Sequence, residues 1–154
     1  MLNKIKCLSV LMPTGMSAVM PILTLLFLTG CVGLESANSP KETFVLPRAY
    51  QEVYQLALVQ AKECWSDEGD LPVKGQLDPA TRTAQVFVTN GLGSGRYGQV
   101  DIRALDDKNS EITVRLAGVN IWDAAALAAM HEALQFGVWT CTRYMPSARP
   151  AKKK

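Results

Sequence analysis

Apolar and polar positions along this chain change their spacing several times, and each change marks an expected element. From Tyr50 the apolar residues Tyr50, Val53, Tyr54, Ala57, Ala61 and Cys64 recur at intervals of three and four. That spacing sets them on one stripe of an α-helix. Pro47 suits its first position, because its φ is already helical and its missing N–H would have been unpaired there. The polar run Ser66-Asp67-Glu68-Gly69-Asp70 stops the helix after Trp65.

From Leu71 the period falls to two. Val73, Gly75 and Leu77 alternate with Lys74 and Gln76, the stretch Asp78-Pro79-Ala80-Thr81 supplies a type I turn, and Ala84, Val86 and Val88 return. A second alternating pair follows. Gly98, Val100, Ile102 and Ala104 resume after Asp106-Asp107-Lys108-Asn109 as Ile112, Val114 and Leu116, with charged and polar residues between them. Either plausible register sets opposite charges across this hairpin, Arg103 with Glu111 or Asp101 with Arg115. Such pairs suit a face that sees water.

Asn120 is the expected N-cap of a last helix, with Asp123 in its first turn and alanines through residues 124–129. Trp122, Ala126, Leu127, Met130 and Leu134 can face the sheet, and Gly137 ends the helix. The expected fold is therefore α+β: an N-terminal helix, a four-stranded antiparallel sheet and a C-terminal helix, with both helices on one sheet face.

Ahead of this domain the pattern differs. Lys4 and Lys6 precede an apolar stretch that runs to Leu28, interrupted by Pro13, Gly15 and Pro21. A basic start, an apolar middle and small residues at the end mark a secretory leader; the unbroken apolar part is shorter than the roughly 20 residues that cross a bilayer. It closes on Leu28-Thr29-Gly30-Cys31. This ordering resembles the lipobox of bacterial lipoproteins. The resemblance implies cleavage between Gly30 and Cys31, a diacylglyceryl group on the Cys31 sulfur and acylation of the freed amine. In a Gram-negative cell Val32, where such proteins otherwise carry a retention Asp, implies delivery to the outer membrane, with the domain facing the periplasm. In other cells the anchor implies the outer face of the cell membrane.

The domains expected are a lipoprotein signal peptide at 1–30, a flexible lipidated tether at 31–46, the α+β domain at 47–145 and a disordered basic tail at 146–154. Export also sorts the four cysteines. Cys7 leaves with the leader, Cys31 takes lipid, and Cys64 and Cys141 remain as one pair, expected to close in the oxidising compartment that an exported chain meets; the alternative is two unconnected buried thiols.

Charge and chemistry narrow the function. Of 16 Lys and Arg, Lys4 and Lys6 fall in the leader, so the 14 that remain equal the 14 Asp and Glu. That balance argues against nucleic-acid binding, which needs a basic face to displace counterions. His131 is the sole histidine, so the usual nitrogen and sulfur ligands cannot assemble a metal site. A hydrolase using His131 would need partners brought in by the fold. The carboxylate pairs Asp67 with Glu68 and Asp106 with Asp107 fall in expected turns. Gly93, Gly95 and Gly98 satisfy G-x-G-x-x-G, but a strand follows where a phosphate cradle needs a helix.

The layout is broadly similar to the helix-grip modules of small lipoproteins in the outer-membrane β-barrel assembly machinery. In sequence the chain resembles a group of small proteobacterial lipoproteins of uncharacterised activity. The shared segments are Leu28-Thr29-Gly30-Cys31, Cys64-Trp65, Gly98-Gln99-Val100-Asp101-Ile102-Arg103 and Trp122-Asp123-Ala124-Ala125. The expected function is that of a non-catalytic interaction or structural module, with an envelope protein or peptidoglycan as partner and no cofactor beyond the lipid on Cys31. The alternative is a small-ligand carrier or sensor lined by Tyr54, Trp65 and Trp122.

Overall fold

A computed structural model describes residues 34, 38–66, 70–92 and 95–145 of the chain. Gly30, Cys31, Asp67, Glu68, Gly93 and the segment 146–154 lie outside the described residues. The elements in chain order are β1 (Lys41–Leu46), α1 (Tyr50–Cys64), β2 (Val73–Asp78), β3 (Thr83–Thr89), β4 (Arg96–Ala104), β5 (Ser110–Leu116) and α2 (Ala124–Phe136). Every strand pair is antiparallel, and the sheet order is β1-β5-β4-β3-β2. The α+β class expected from the sequence holds, but the sheet has five strands rather than four.

The extra strand, β1, occupies the stretch expected to be tether, so the domain begins at least six residues before Pro47. Its register sets Glu42, Phe44 and Leu46 opposite Val114, Ile112 and Ser110. The entry is fixed by backbone contacts: Leu116 N–H donates to Pro40 O at 3.0 Å, and Ser39 Oγ lies 3.4 Å from Ala117 O. Gly118, at φ +72°, makes this passage possible. A Cβ there would lie 2.2 Å from Asn38 O, so only glycine admits the incoming chain.

Helix α1 starts at Tyr50 instead of Pro47. Ala49 is extended, and the first helical bond runs from Val53 N to Ala49 O. The buried Ser110 hydroxyl donates to Arg48 O at 2.7 Å, which holds the bend between β1 and α1 in a non-helical course. Arg48 also pairs with Glu52 in the first turn. The expected apolar stripe is buried at Tyr50, Val53, Ala57, Ala61 and Cys64, while Tyr54 stays half-buried.

The cap of α2 also differs from expectation. Asn120 sits in the left-handed region at φ 54°, inside a turn closed by Trp122 N to Val119 O and Gly118 N to Trp122 O. Asp123 is the N-cap, its Oδ1 accepting from Ala125 N at 2.9 Å and Ala126 N at 3.1 Å. An acid in that position both satisfies orphan N–H groups and complements the helix dipole. Gly137 ends the helix at φ 74°, as its sequence position suggests.

One hydrophobic cluster contains Val53, Ala57, Ala61 and Trp65, Trp122, Met130 and Leu134, and the strand residues Val86, Val100, Ile102, Ile112, Val114 and Leu116. The segment after α2 is fastened to α1. The Gln60 side chain, buried within the apolar stripe, donates to Thr140 O at 2.7 Å and accepts from Thr140 N at 2.9 Å. One residue on, Cys141 is joined to Cys64 by a disulfide across 77 residues of sequence.

Candidate functional site

Alternation along β3, β4 and β5 turns their polar residues to one sheet face. Register places Thr83, Gln85 and Phe87 beside Arg103, Asp101 and Gln99, and these beside Glu111, Thr113 and Arg115. Thr43 of β1 extends the row by a hydroxyl contact of 2.9 Å with Thr113. Side chains two residues apart on neighbouring strands can then meet along or across the register.

Asp101 is the hub of this face. It accepts from Gln85 Nε2 at 2.6 Å, from Gln99 Nε2 at 2.8 Å to each oxygen, and from Arg115 Nη2 at 2.5 Å. Arg96 Nη1 continues the network by donating to Gln99 Oε1 at 2.5 Å and Gln85 Oε1 at 3.1 Å. The Arg96 guanidinium also sits 4.0 Å above the Phe87 ring centroid, which helps to bury that ring on an otherwise polar surface. Both charge pairs that the sequence offered as alternatives are present. Arg103 meets Glu111 directly across the strands at 3.0 Å, whereas Arg115, opposite Gln99, reaches Asp101 on the diagonal.

A carboxylate has about four acceptor positions. At Asp101 these four contacts occupy them, so the group organises the surface. Beside it runs an open cleft of about 490 Å³ lined by Gln76, Asp78, Thr83, Gln85, Asp101 and Arg103, among others. Amides, hydroxyls and charges of both signs make this a surface for polar contact.

The two hairpin turns flanking the face are held by carboxylates. Asp78 accepts from the Thr81 hydroxyl at 2.7 Å and from the Ala80 and Thr81 amides, and these donors hold its carboxyl below the ordinary value, the hydroxyl most of all. Asp106 is lowered likewise, chiefly by the Lys108 amide and then by the Asn109 side chain. Asp107 pairs with Arg82 at 2.8 Å. The pair Asp106 and Asp107 is thus accounted for by turn formation.

His131 lies at a different place, against the edge strand. Its Nδ1 is 3.0 Å from Glu42 Oε1, and its ring stacks on Phe44 with centroids 4.0 Å apart. These contacts join α2 to β1. Among the described residues, no group of three His, Cys, Asp or Glu side chains could hold a metal ion.

Trp65 and Trp122, two of the three residues expected to line a ligand cavity, are packed into the core. They are 1% and 4% exposed and meet edge to face at 5.7 Å, and Tyr97 stacks on Trp122 at 5.6 Å. The Trp65 ring occupies the space over Gly98, where an added Cβ would come within 2.9 Å of it. Tyr54 lies apart from this pair, over Gly75 of β2. Instead of enclosing a site, the tryptophans fill the space between α1, the start of α2 and the sheet. The polar hub at Asp101 was visible in sequence only as pairs of charges; the glutamines that complete it carried no distinguishing signal.

Neither a family model nor a curated protein matches the chain. Among solved structures, the Zhui aromatase/cyclase from Streptomyces sp. R1128 aligns with 62% of this chain and 82% of its own. The TM-score is 0.30 and the identity 13%.

Proposed function

We propose that the chain is an exported lipoprotein, held by fatty chains on Cys31 to the outer membrane of a Gram-negative cell and facing the periplasm. Its domain is a non-catalytic module that contacts an envelope protein or peptidoglycan. The anchor is read from Leu28-Thr29-Gly30-Cys31. Export is supported by the Cys64–Cys141 disulfide, since such bonds persist where the surroundings are oxidising.

In this reading both helices cover one sheet face and the Asp101 face is turned outward. Supporting it, residues of both helices share one hydrophobic cluster with the alternate positions Val86, Val100, Ile102, Ile112 and Val114. The observation that carries the interaction role is the Asp101 network. Its amides, guanidinium groups and carboxylate are bonded to one another, which fixes a polar surface.

A photoreactive residue placed at Gln76 or Arg103, both exposed beside the cleft, tests this in intact cells. The expected outcome is a discrete adduct with one envelope protein or with peptidoglycan fragments, missing when the probe stands at Glu132 on α2. Adducts of equal yield from both surfaces, or from neither, would reject the assignment.

A further inference from the structure

Three large apolar side chains stand out at the end of α2. Phe136 is 67% exposed, Val138 64% and Trp139 55%. Exposed apolar residues scattered singly need no explanation, but these fall within four consecutive positions of one fastened segment. On its N-terminal side, Gly137 N–H donates to Ala133 O and Arg48 Nη2 donates to Gln135 O at 3.3 Å. On its C-terminal side, both backbone groups of Thr140 are bonded to buried Gln60, and Cys141 is bonded to Cys64. The fold thus holds Trp139 out in water at a fixed place.

Along the sequence, the charge from this segment onward is one-sided. After Glu132 the chain carries Arg143, Arg149, Lys152, Lys153 and Lys154 and no Asp or Glu, although the body before it is rich in both. Tyr144, 75% exposed, adds a third aromatic ring to the same stretch. Tryptophan and tyrosine suit the headgroup level of a bilayer, where a flat apolar ring with a polar edge is half wet. Lysine and arginine that follow such rings in sequence are drawn to an anionic leaflet.

We infer that residues 136–144 form a membrane-docking loop, which seats Phe136, Val138 and Trp139 in the headgroup region of an anionic phospholipid bilayer. This rests on the anchoring reading in one respect. With nine residues between Cys31 and Lys41, each spanning at most about 3.5 Å, the domain stays within reach of the bilayer that holds the lipid. The loop is a second contact that fixes which way the domain faces. Because the loop is already ordered by the disulfide and the Gln60 clamp, little conformational freedom is lost when it docks.

Tryptophan emission reads the docking directly. The chain has three tryptophans, and Trp65 and Trp122 are buried, which leaves Trp139 as the exposed reporter. The full chain, purified from the membranes of the cells that process it, is mixed into vesicles of phosphatidylethanolamine and phosphatidylglycerol with brominated acyl chains. Docking predicts a blue-shifted emission component, quenched by bromine and absent in Trp139→Phe. Exchanging phosphatidylglycerol for phosphatidylcholine, or Lys152, Lys153 and Lys154 for Gln, should lower the docked-to-undocked ratio about fivefold for each cation made ineffective. Trp139 that remains unquenched and open to acrylamide on these vesicles would overturn the inference. So would a dimer that protects Trp139 from acrylamide without bromine quenching and is lost in Val138→Ser. Flotation with the vesicles and the mass of Cys31 report the lipid separately, so a chain that carries lipid but leaves Trp139 unquenched refutes only the loop. A chain without lipid whose Trp139 is quenched refutes only the anchor.

Discussion

Substituting Gly98 by Ala tests whether the space between helix and sheet is filled. An added Cβ would lie 2.9 Å from Trp65 Cζ3, 3.2 Å from Trp65 Cε3 and 3.1 Å from Leu116 Cδ2. Both neighbours are buried, and Trp65 is held by Trp122 and the core around it, so neither can swing away. Overpacking of this kind costs about 1–3 kcal/mol. Against it stands a gain of about 0.4–1 kcal/mol from the narrower unfolded ensemble of alanine. At the middle of these ranges the net expectation is a loss of about 1.3 kcal/mol, read as a lower urea midpoint at unchanged slope, and a fall in Tm of roughly 4–8 °C per kcal/mol for a domain near this size. Gly75→Ala is the control. There, on the edge strand β2, the added Cβ meets chiefly the far end of the half-buried Tyr54 side chain of α1, which can move, so the change should stay within about 0.5 kcal/mol. Removing the outer part of the indole in Trp65→Phe should make Gly98→Ala at least about 0.5 kcal/mol less costly than in the parent chain. If Gly98→Ala were neutral or stabilising with unaltered tryptophan emission, the space would be slack, and a ligand cavity lined by Trp65 and Trp122 would replace the filled core.

Other expectations follow from single contacts. Replacing Cys64 and Cys141 together by Ser opens a loop of 77 residues and should lower stability by about 2–5 kcal/mol in urea unfolding, as reduction of the parent should. Asp123→Ala removes the acceptor for two helix N–H groups and should cost about 1 kcal/mol, while Asn120→Gly, at a left-handed position, should be tolerated within about 0.5 kcal/mol. Asp78 and Asp106 have folded values held below 3.8, so their hydrogen bonds add stability above that pH and lose it as pH falls through the lowered values. Carboxyl chemical shifts should therefore show native midpoints below 3.8, and Thr81→Ala should raise the Asp78 midpoint without moving that of Asp106.

The parts of the fold legible in the sequence were those that local pattern decides. The hairpin of β4 and β5 alternates cleanly and has an aspartate–asparagine turn, so its strands could be read from neighbouring residues alone, with Arg103–Glu111 and Asp101–Arg115 as alternative charge pairs. β1 could not. Its inward set is Glu42, Phe44 and Leu46, and a carboxylate at the first of these breaks the apolar alternation. That carboxylate is satisfied by His131, 89 residues later, a partner no local window contains. Gln60 is a similar case, because a buried amide in an apolar stripe makes sense only once Thr140 is beside it. The N-cap lies three residues beyond the expected one, since Asn120 and Asp123 are both good caps and the turn closed by Gly118 and Trp122 chooses between them. For the site, charge pairing across strands was visible, while its convergence on Asp101 required the lateral order of three strands.

The claim that the domain works at a membrane surface is tested most directly by the mass of the N-terminal peptide of the processed chain, isolated from cell membranes. Lipidation at Cys31 predicts a peptide that begins at Cys31 and carries a diacylglyceryl thioether, a mass lost in Cys31→Ser, which should accumulate as precursor. A processed chain with a free Cys31 thiol, or one that still retains residues ahead of it, would contradict membrane anchoring through Cys31.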